Sequence, residues 1–388
     1  MRRMIKSKIR AAFIAPCLGT GGADMLMARL VANQKQIEWT GVALRDPLTV
    51  EMASNAELMW PSHVPIYNHD KNWQFPFVDH APVSFADSIL HACKDADIVV
   101  TWCVPELPSY LTTVKLPVIE YAQNSDSYAR KVVDSNALVT THRAACSLEA
   151  AKVYGDVSDV TIIYNGIDLN RCAPAKGRLI QRQAWGIPEQ AKVVLYMGRL
   201  VKEKHPEDLI RAISSLTDDY IGIYVGNGLM LDQLHDMASS MCPGRIAFVK
   251  PEYFVGDFLA AADCFLLPSD FEGHPLALME AMIAGVPCVY TDFGVMQELH
   301  KMYGPMGQMV PRGCSNDVLA EAITKIESDE AMAYRNNARL AVWDNFNISR
   351  ITTQWEEYIT DCLFDYHRKQ RRSLIYPVKP RVPMEFPQ

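Results

Sequence analysis

Short apolar runs alternate with longer segments of helical apolar spacing along most of the chain. In the first half, the apolar runs predict strands over residues 11–16, 40–45, 64–68, 97–102, 117–121, 137–141 and 160–164. Apolar residues spaced three and four apart predict helices over 23–34, 85–96 and 143–155. This alternation is typical of a parallel sheet covered by crossover helices.

The second half repeats the same rhythm more regularly. Strands are predicted over residues 193–198, 221–226, 245–250, 264–269, 287–291 and 307–310. Helices are predicted over 206–216 and 316–328, and Ser315 is expected to cap the second of them. A long helical stretch follows around 329–369, and the proline-rich end YPVKPRVPMEFPQ is expected to be extended.

A break in the pattern divides the chain. The segment YNGIDLNRCAPAKG, residues 164–177, is rich in turn residues and predicts a linker. A length of 388 residues also favours two domains, because single cores rarely grow beyond about 250–300 residues. We therefore predict an α/β protein with two facing Rossmann-like domains, residues 1–168 and 169–349. Ligands of such sheets bind at the carboxyl ends of the strands, here in the interdomain cleft.

Composition and charge exclude several classes of protein. Hydrophobic content of 49% and charged content of 21% are ordinary for a globular protein, and a net charge of −7 gives no general attraction to nucleic acid. Ten cysteines without a CxxC pair suggest reduced thiols. The basic start MRRMIKSKIR is not followed by a cleavage site, and no apolar run reaches the length of a spanning helix. We expect a cytoplasmic protein without a transmembrane segment.

Two carboxylates flank the start of a predicted helix in FEGHPLALMEAMIAGVPCV, residues 271–289. Pro275 suits the first turn of that helix and Gly285 its end. The free N–H groups at the helix start form a site for a phosphate or diphosphate. Glu280 is expected about 7 Å further along the helix. Glu272 and Glu280 can then accept hydroxyl groups on either side of a bound diphosphate.

Basic residues follow a neighbouring predicted strand. GRLVKEK, residues 198–204, comes directly after VVLYM, so Arg199 and Lys204 are expected to face the same cleft. Cations at that place can neutralise the charge that develops on a departing diphosphate.

These stretches together resemble the retaining glycosyltransferases of the GT-B fold, specifically glycosyltransferase family 4. The donor half is matched by MGRLVKEKHPEDLIRAI, YVGNG and SDFEGHPLALMEAMIAGVPCV, which contains the Glu-x7-Glu pair. YNGID resembles the interdomain segment, and GTGGAD resembles the glycine loop after the first strand. The resemblance covers most of residues 10–330 and is strongest over 193–299.

The resemblance implies a GT-B enzyme that transfers a sugar, a hexose or a pentose, from a nucleotide-diphospho sugar to an acceptor hydroxyl. A UDP-linked donor is favoured over GDP- or ADP-linked ones, and neither a metal nor another cofactor is expected. Anomeric configuration is retained, through front-face attack in which the donor phosphate accepts the proton of the incoming hydroxyl. The C-terminal helix and tail, residues 350–388, are expected to pack back on the first domain.

The resemblance also assigns roles to residues of this chain. Glu272 would hold sugar hydroxyls, and Glu280 would hold the ribose. Arg199 and Lys204 would stabilise the leaving diphosphate. Further contacts with the nucleotide-sugar donor are expected from the backbone of these residues: Gly21, Gly22, Gly198, Gly273, His274, Pro275 and Leu276.

The chain departs from the family pattern in the first domain and near the base. Family members often carry a histidine after the strand that corresponds to PVIEY, where this chain reads Ala122-Gln123-Asn124. Gln123 and Asn124 can still hydrogen-bond a sugar. Lys250 stands where a glycine is common, so recognition of the base is expected to differ.

Alternative functions of other classes remain open from the residues alone. A dehydrogenase would carry GxGxxG, but Asp24 replaces the third glycine of GTGGAD. A nucleotide-sugar epimerase of the same fold and a non-catalytic nucleotide-sugar binding protein are also compatible with the motifs. Asp95-Ala96-Asp97 matches the metal-binding DxD motif, but we expect a turn there. His142 and Cys146 have the spacing of zinc ligands on a helix, but no third ligand is nearby in the sequence.

The acceptor is not identified by the sequence. Small molecules, glycans, lipids and modified nucleobases remain candidates, and first-domain loops around Trp60, Trp73, Trp102 and Tyr110 are the expected source of its pocket. The basic run HRKQRR, residues 367–372, is expected to be a solvated helix end, with a weak contact to an anionic acceptor or surface as the alternative.

Overall fold

The computed structural model describes residues 8–17, 22–46, 60–61, 63–68, 78–79, 82–111 and 114–375. Strands of the first half are β1 (Ile9–Ala15), β2 (Ile37–Leu44), β3 (Ile66–Tyr67), β4 (Val78–Asp79), β5 (Ile98–Thr101), β6 (Val118–Ala122), β7 (His142–Ala145) and β8 (Val160–Ile162). Strands of the second half are β9 (Lys192–Met197), β10 (Tyr220–Val225), β11 (Ile246–Val249), β12 (Cys264–Leu267), β13 (Cys288–Thr291) and β14 (Gln308–Val310).

Helices connect these strands in nearly every interval that the structure describes. In the first half they are α1 (Gly22–Asn33), α2 (Phe85–Cys93), α3 (Pro108–Leu111), α4 (Ser127–Asn136) and α5 (Leu148–Ala151). The linker and second half contain α6 (Leu169–Cys172), α7 (Arg178–Ala184), α8 (Glu207–Ser215), α9 (Leu231–Met241), α10 (Gly256–Ala261), α11 (Leu276–Ile283), α12 (Gly294–Tyr303), α13 (Asn316–Thr324), α14 (Asp329–Asn345) and α15 (Ile348–Ile375).

The strands form two parallel sheets, as the apolar pattern predicted. The first sheet has the order β4-β3-β2-β1-β5-β6-β7-β8, and the second has the order β11-β10-β9-β12-β13-β14. Strand order reverses between β1 and β5 in the first sheet and between β9 and β12 in the second. Open parallel sheets bind ligands at such a reversal.

Alternating side chains of the central strands explain how each sheet is covered on both faces. In β1, Phe13 packs into one apolar cluster and Ile14 into another on the opposite face. In β9, Leu195 and Tyr196 likewise pack into two different apolar clusters on opposite faces of the sheet. A parallel strand that is buried on both faces needs apolar residues at consecutive positions, which is why these strands read as apolar runs.

The chain crosses between the sheets twice, once near Ile167 and once over residues 346–348, and the two crossings lie side by side. The backbone N–H of Ile167 donates to the carbonyl of Phe346 at 2.7 Å, and the N–H of Ile348 donates to the carbonyl of Ile167 at 2.9 Å. After this second crossing, α15 lies against the first sheet. Its Trp355 packs edge-on against Tyr121 of β6, with ring centroids 4.8 Å apart.

One strand and one helix of the first domain were predicted wrongly. Residues 137–141 follow α4 as a turn, and the strand lies at His142–Ala145, where a helix over 143–155 was expected. Ala144 and Ala145 are buried between neighbouring strands. Alanine has no strand preference, so tertiary packing decides this strand, and the helix begins only at Leu148 behind its cap Ser147.

Ser315 occupies the predicted cap position of α13, but its side chain makes no capping hydrogen bond. The proline-rich end, residues 376–388, lies outside the described residues.

Candidate active site

Two loops of the second domain meet at the carboxyl edge of its sheet, where the strand order reverses. The chain leaves β9 at Gly198 and forms a 3-10 turn over Lys202–Lys204, while β12 leads through residues 268–275 into α11. Nζ of Lys204 donates to Oε1 of Glu272 at 2.5 Å, and Oγ of Ser269 donates to the same oxygen at 2.9 Å. The structure therefore places Lys204 and Glu272 in direct contact, with their side chains only 17% and 11% exposed.

Arg199 lies at the same edge, but its side chain pairs with Glu203 and not with Glu272. Its Nη2 is 3.4 Å from Oε1 of Glu203, and the side chain is 63% exposed. The hydroxyl of Tyr196 donates to the carbonyl of Arg199 at 3.0 Å and fixes its backbone. The backbone of Arg199 is therefore held in place, while its exposed guanidinium is paired with Glu203.

The start of α11 supplies unpaired donors beside Glu272. Pro275 is the N-cap, and no side chain caps the helix. Helical pairing begins with the N–H of Met279, which donates to the carbonyl of Pro275 at 3.1 Å. The N–H groups of Leu276, Ala277 and Leu278 therefore lack helical partners and form an anion site. Pro275 has no N–H, so a contact of Pro275 with the nucleotide sugar stays a prediction that does not include a hydrogen bond from its backbone nitrogen.

His274 is buried and holds this loop against the linker. Its Nδ1 accepts the N–H of Asn165 at 3.2 Å, and its carbonyl accepts Nδ2 of Asn165 at 3.0 Å. Burial lowers the pKa of His274 to about 3, so the ring is neutral at pH 7. Asn165 belongs to YNGID, so the linker fixes the backbone that precedes α11.

We expect His274 to make stability depend on pH. Its pKa falls from 6.5 when unfolded to about 3 when folded, so between these values the unfolded chain binds the additional proton. The contribution is complete above pH 6.5 and is lost as the pH falls toward 3. From pH 6 to pH 5, wild type should lose more stability than His274→Gln, by up to about 1.4 kcal/mol.

Urea unfolding at both pH values measures this difference. His367→Gln, a change at an exposed histidine of α15, is the control and should keep the wild-type pH dependence. Equal acid sensitivity in wild type and His274→Gln would show that the ring is already protonated or accessible in the folded protein.

Gly273 allows the two domains to touch beside Glu272. A Cβ at this position would lie 1.7 Å from the carbonyl oxygen of Gln123, the residue that follows β6, and 2.9 Å from Sγ of Cys146. Only glycine permits so close an approach of two backbones. The carboxyl edges of the two sheets therefore face each other across the cleft, and Glu272 lies next to this contact.

Two other predicted glycines, Gly198 and Gly22, lie at the same edges. A Cβ on Gly226 after β10 would lie 2.0 Å from the carbonyl of Gly198, so these two loops pack backbone to backbone. Gly22 is the first residue of α1. Gly21 lies outside the described residues.

Glu280 is not exposed to the cleft in this structure. Its side chain is 3% exposed, and Oε1 lies 3.4 Å from Nη2 of Arg29 and 3.3 Å from Nη1 of Arg171. Neither arginine was predicted: Arg29 follows no motif, and Arg171 lies just after YNGID, which was interpreted only as a linker. A ligand that takes Oε1 has to replace an arginine.

Gln123 and Asn124 present unpaired polar atoms near Gly273. Oε1 of Gln123 accepts from Nδ2 of Asn165 at 3.3 Å, while its Nε2 is buried without a hydrogen-bond partner among the described residues. Nδ2 of Asn124 donates to Asp126 at 3.0 Å, and its Oδ1 has no partner there either. Buried unpaired atoms of this kind are characteristic of binding sites.

The aromatic residues proposed for an acceptor pocket are mostly interior. Trp60 and Trp102 are 5% and 1% exposed, so their side chains belong to the core, and an acceptor pocket formed by the loops around them stays a prediction. Tyr110 is half-buried against Phe85, with ring centroids 5.3 Å apart. Trp73 lies outside the described residues.

The remaining sequence candidates have structural roles. Asp97 accepts the backbone N–H of Arg10 at 2.9 Å, at the amino edge of the first sheet and away from the cleft. Cys146 donates to the carbonyl of Gln123 at 3.2 Å. Among the described residues, no group of three potential metal ligands is present, and no helix is long and apolar enough to span a membrane.

The fold and this site define a two-domain protein of the GT-B class. Residues 177–341 match the family model described as glycosyl transferases group 1. The matched residues contain Lys204, Glu272 and α11.

Curated relatives support the same class of domain. The chain is 32% identical over 211 residues to a Bacillus subtilis protein named as a teichuronic acid biosynthesis glycosyltransferase, TuaC, covering 54% of this chain and 52% of TuaC. It is 26% identical over 239 residues to N-acetyl-alpha-D-glucosaminyl L-malate synthase of Bacillus anthracis, covering 60% of this chain and 62% of the synthase. The matches thus span little more than half the length of these relatives.

Solved structures share the complete two-domain fold. HepE of Anabaena, in complex with UDP and glucose, matches with a TM-score of 0.76 at 18% identity, covering 91% of this chain and 100% of HepE. WaaG, a glycosyltransferase involved in lipopolysaccharide biosynthesis, matches with a TM-score of 0.65 at 19% identity, covering 91% and 100%. At these identities the likeness establishes the GT-B fold.

Proposed function

We propose that the protein is a retaining glycosyltransferase that transfers a sugar from a nucleotide-diphospho sugar to an acceptor hydroxyl. The observation that carries this proposal is the contact of Lys204 with Glu272 beside the uncapped start of α11. A cation, an anion and three free N–H groups at one sheet edge suit a donor that combines a charged diphosphate with a polyhydroxylated sugar. A UDP-linked donor is favoured, because solved structures of the same fold contain UDP and UDP-glucose.

Each group has a defined task in this proposal. The N–H groups of Leu276 and Ala277 bind the diphosphate, and Lys204 and Arg199 stabilise its charge as it leaves. Glu272 accepts hydroxyls of the transferred sugar, and Gln123 Nε2 donates to it from the first domain. Glu280 accepts the ribose hydroxyls after an arginine partner has moved. The backbones at Gly21, Gly22 and Gly198 allow close approach of the donor.

The reaction that we propose keeps the configuration of the sugar. The bond between the anomeric carbon and the phosphate oxygen breaks, and the acceptor oxygen bonds to the same face of that carbon. The acceptor proton passes to the departing phosphate oxygen. The chain's own donors meet the developing charge, and we propose that no metal is needed. The cysteines are scattered along the sequence without a CxxC pair, which suits the reducing cytoplasm that we propose as its location.

A panel of UDP-, GDP- and ADP-sugars tests the donor. We expect one of them to raise the melting temperature, because a ligand at 100 times its Kd stabilises the fold by about 2.7 kcal/mol. Aminocyclitols, sugars, lipids and modified nucleobases are then supplied with that donor, and NMR of the product reads the anomeric configuration. An unchanged rate in excess EDTA is expected.

Three results would contradict the proposal. If no nucleotide sugar raises the melting temperature, the donor site is wrong. Conversion of the nucleotide sugar into another one without acceptor would identify an epimerase. Donor binding that Glu272→Ala abolishes, with no turnover for any acceptor, would identify a binding protein.

A further inference from the structure

Three ionised side chains from three parts of the chain meet between the domains. Glu280 lies on α11, Arg171 on α6 of the linker and Arg29 on α1 of the first domain. Both guanidinium groups contact the same oxygen, Oε1 of Glu280, at 3.3 Å from Arg171 and 3.4 Å from Arg29. Their side chains are 13% and 3% exposed. We call these three residues the Glu280 cluster.

The Glu280 cluster has more hydrogen-bond donors than hydrogen-bond acceptors. Nε and Nη1 of Arg29 and Nε of Arg171 are buried without hydrogen-bond partners in the described part of the chain. Tyr253 packs its ring against Arg171, 5.5 Å from the ring centroid to the guanidinium carbon, and its hydroxyl donates to Asp168. Burial lowers the pKa of Arg171, which Glu280 opposes. The cluster is therefore an arrangement with unmet hydrogen bonds, which is costly to keep buried.

We propose that Arg29 sets the affinity of the donor site by competing with the ribose of the donor for Glu280. The inference rests on the proposed function, in which Glu280 accepts the ribose hydroxyls. One oxygen of the carboxylate already receives two guanidinium groups, and the carboxylate is almost completely buried. A ribose hydroxyl that takes this oxygen therefore competes with the two arginines.

Arg29 is the arginine that leaves. The carbonyl of Arg171 accepts the N–H of Val255 at 3.0 Å, so Arg171 is tied to the second domain, which also carries Glu280. Arg29 belongs to the first domain, and a relative movement of the two domains carries it away from Glu280. Donor binding and domain position are then linked, because the work of breaking the Arg29 contact is subtracted from the donor's binding free energy.

Loss of Arg29 also removes a positive charge, which weakens attraction of the diphosphate. The two effects are separated by measuring the Kd of UDP and of 2′,3′-dideoxy-UDP by calorimetry. Both nucleotides carry the same diphosphate, but only UDP offers the ribose diol. We define the diol preference as the Kd of 2′,3′-dideoxy-UDP divided by the Kd of UDP. This ratio cancels the effect of charge on the diphosphate and retains the competition for Glu280.

Arg29→Met is expected to raise the diol preference about tenfold over wild type, the size of one hydrogen bond to a charged group. Arg29→Gln, a second variant, should raise it in the same direction, whereas Arg171→Met should not, because Arg171 stays with Glu280 when the nucleotide binds. Glu280→Gln should lower it below the wild-type value. Arg10→Met is the matched control, because Arg10 pairs with Asp97 at the amino edge of the first sheet, and the ratio should stay at the wild-type value.

The outcomes distinguish the inference from the proposed function. If wild type binds UDP but neither Arg29→Met nor Arg29→Gln raises the diol preference, the competition by Arg29 is refuted and the donor site stands. If wild type binds neither nucleotide, the UDP donor site and the competition both fail. Circular dichroism checks the fold of each variant, and Arg29→Gln decides the question if Arg29→Met does not fold.

Discussion

Glu272→Gln is expected to lower kcat about a hundredfold, because a hydrogen bond from a sugar hydroxyl to a charged group contributes up to about 3 kcal/mol. The substitution keeps the size of the side chain and removes its charge. In the free protein Glu272 accepts from Lys204 and Ser269, so the amide retains one acceptor for them. The Kd of UDP should change by less than about threefold, since UDP lacks the transferred sugar.

Initial rates with the identified donor and calorimetry with UDP measure the two quantities. Glu252→Gln is the matched control: Glu252 is an exposed carboxylate on the loop after β11, at the same edge of the sheet. Its rate should stay within about twofold of wild type, as surface changes usually have small effects. Equal losses of kcat and UDP affinity in Glu272→Gln would instead assign Glu272 to holding Lys204 in place.

The placement of Lys204 and Glu272 at one sheet edge could be predicted from the sequence because its signals are local. Strand β9 with the segment after it, and strand β12 with the helix after it, are each continuous stretches of the chain. Parallel strands place their carboxyl ends together, so Lys204 and Glu272 could be expected to meet from the order of elements alone. The same reasoning predicted the start of α11 near Pro275.

Contacts between the domains were beyond that reasoning. Arg29 and Glu280 are 251 residues apart, and no local pattern marks an arginine of α1 as a partner of α11. Strand β7 was missed for a related reason, because its alanines are strand-forming only in the space that neighbouring strands leave. Gly273 carried a signal that could have been used, since a glycine before a helix start often marks a close backbone approach.

The Glu280 cluster also changes how the Glu-x7-Glu pair is interpreted. From spacing alone, Glu272 and Glu280 were equivalent carboxylates on either side of a diphosphate. In the structure Glu272 pairs with one lysine of its own domain, whereas Glu280 holds arginines from the linker and from the other domain. Only the second carboxylate can therefore report the relative position of the domains.

Lys204→Met is expected to have the largest effect on catalysis, a loss of kcat of about 10²–10³-fold, as for removal of one preorganised group that stabilises developing charge. The charge on the diphosphate rises as the sugar leaves, so Lys204 should contribute more to the transition state than to the bound donor. Donor affinity should therefore fall much less than kcat. Arg199→Met should act in the same direction.

The chain provides a matched control for this variant. Lys202 lies on the same 3-10 turn, is exposed, and has no place in the site, so Lys202→Met should keep kcat within about twofold of wild type. Loss of Lys204 also leaves Glu272 without its lysine, so the melting temperature is measured in parallel. The double variant Lys204→Met/Glu272→Gln shows whether that unpaired carboxylate contributes, since it should recover stability but not kcat. Equal reductions of kcat and donor affinity in Lys204→Met would mean that the lysine binds the ground-state diphosphate and gives no preference to the transition state.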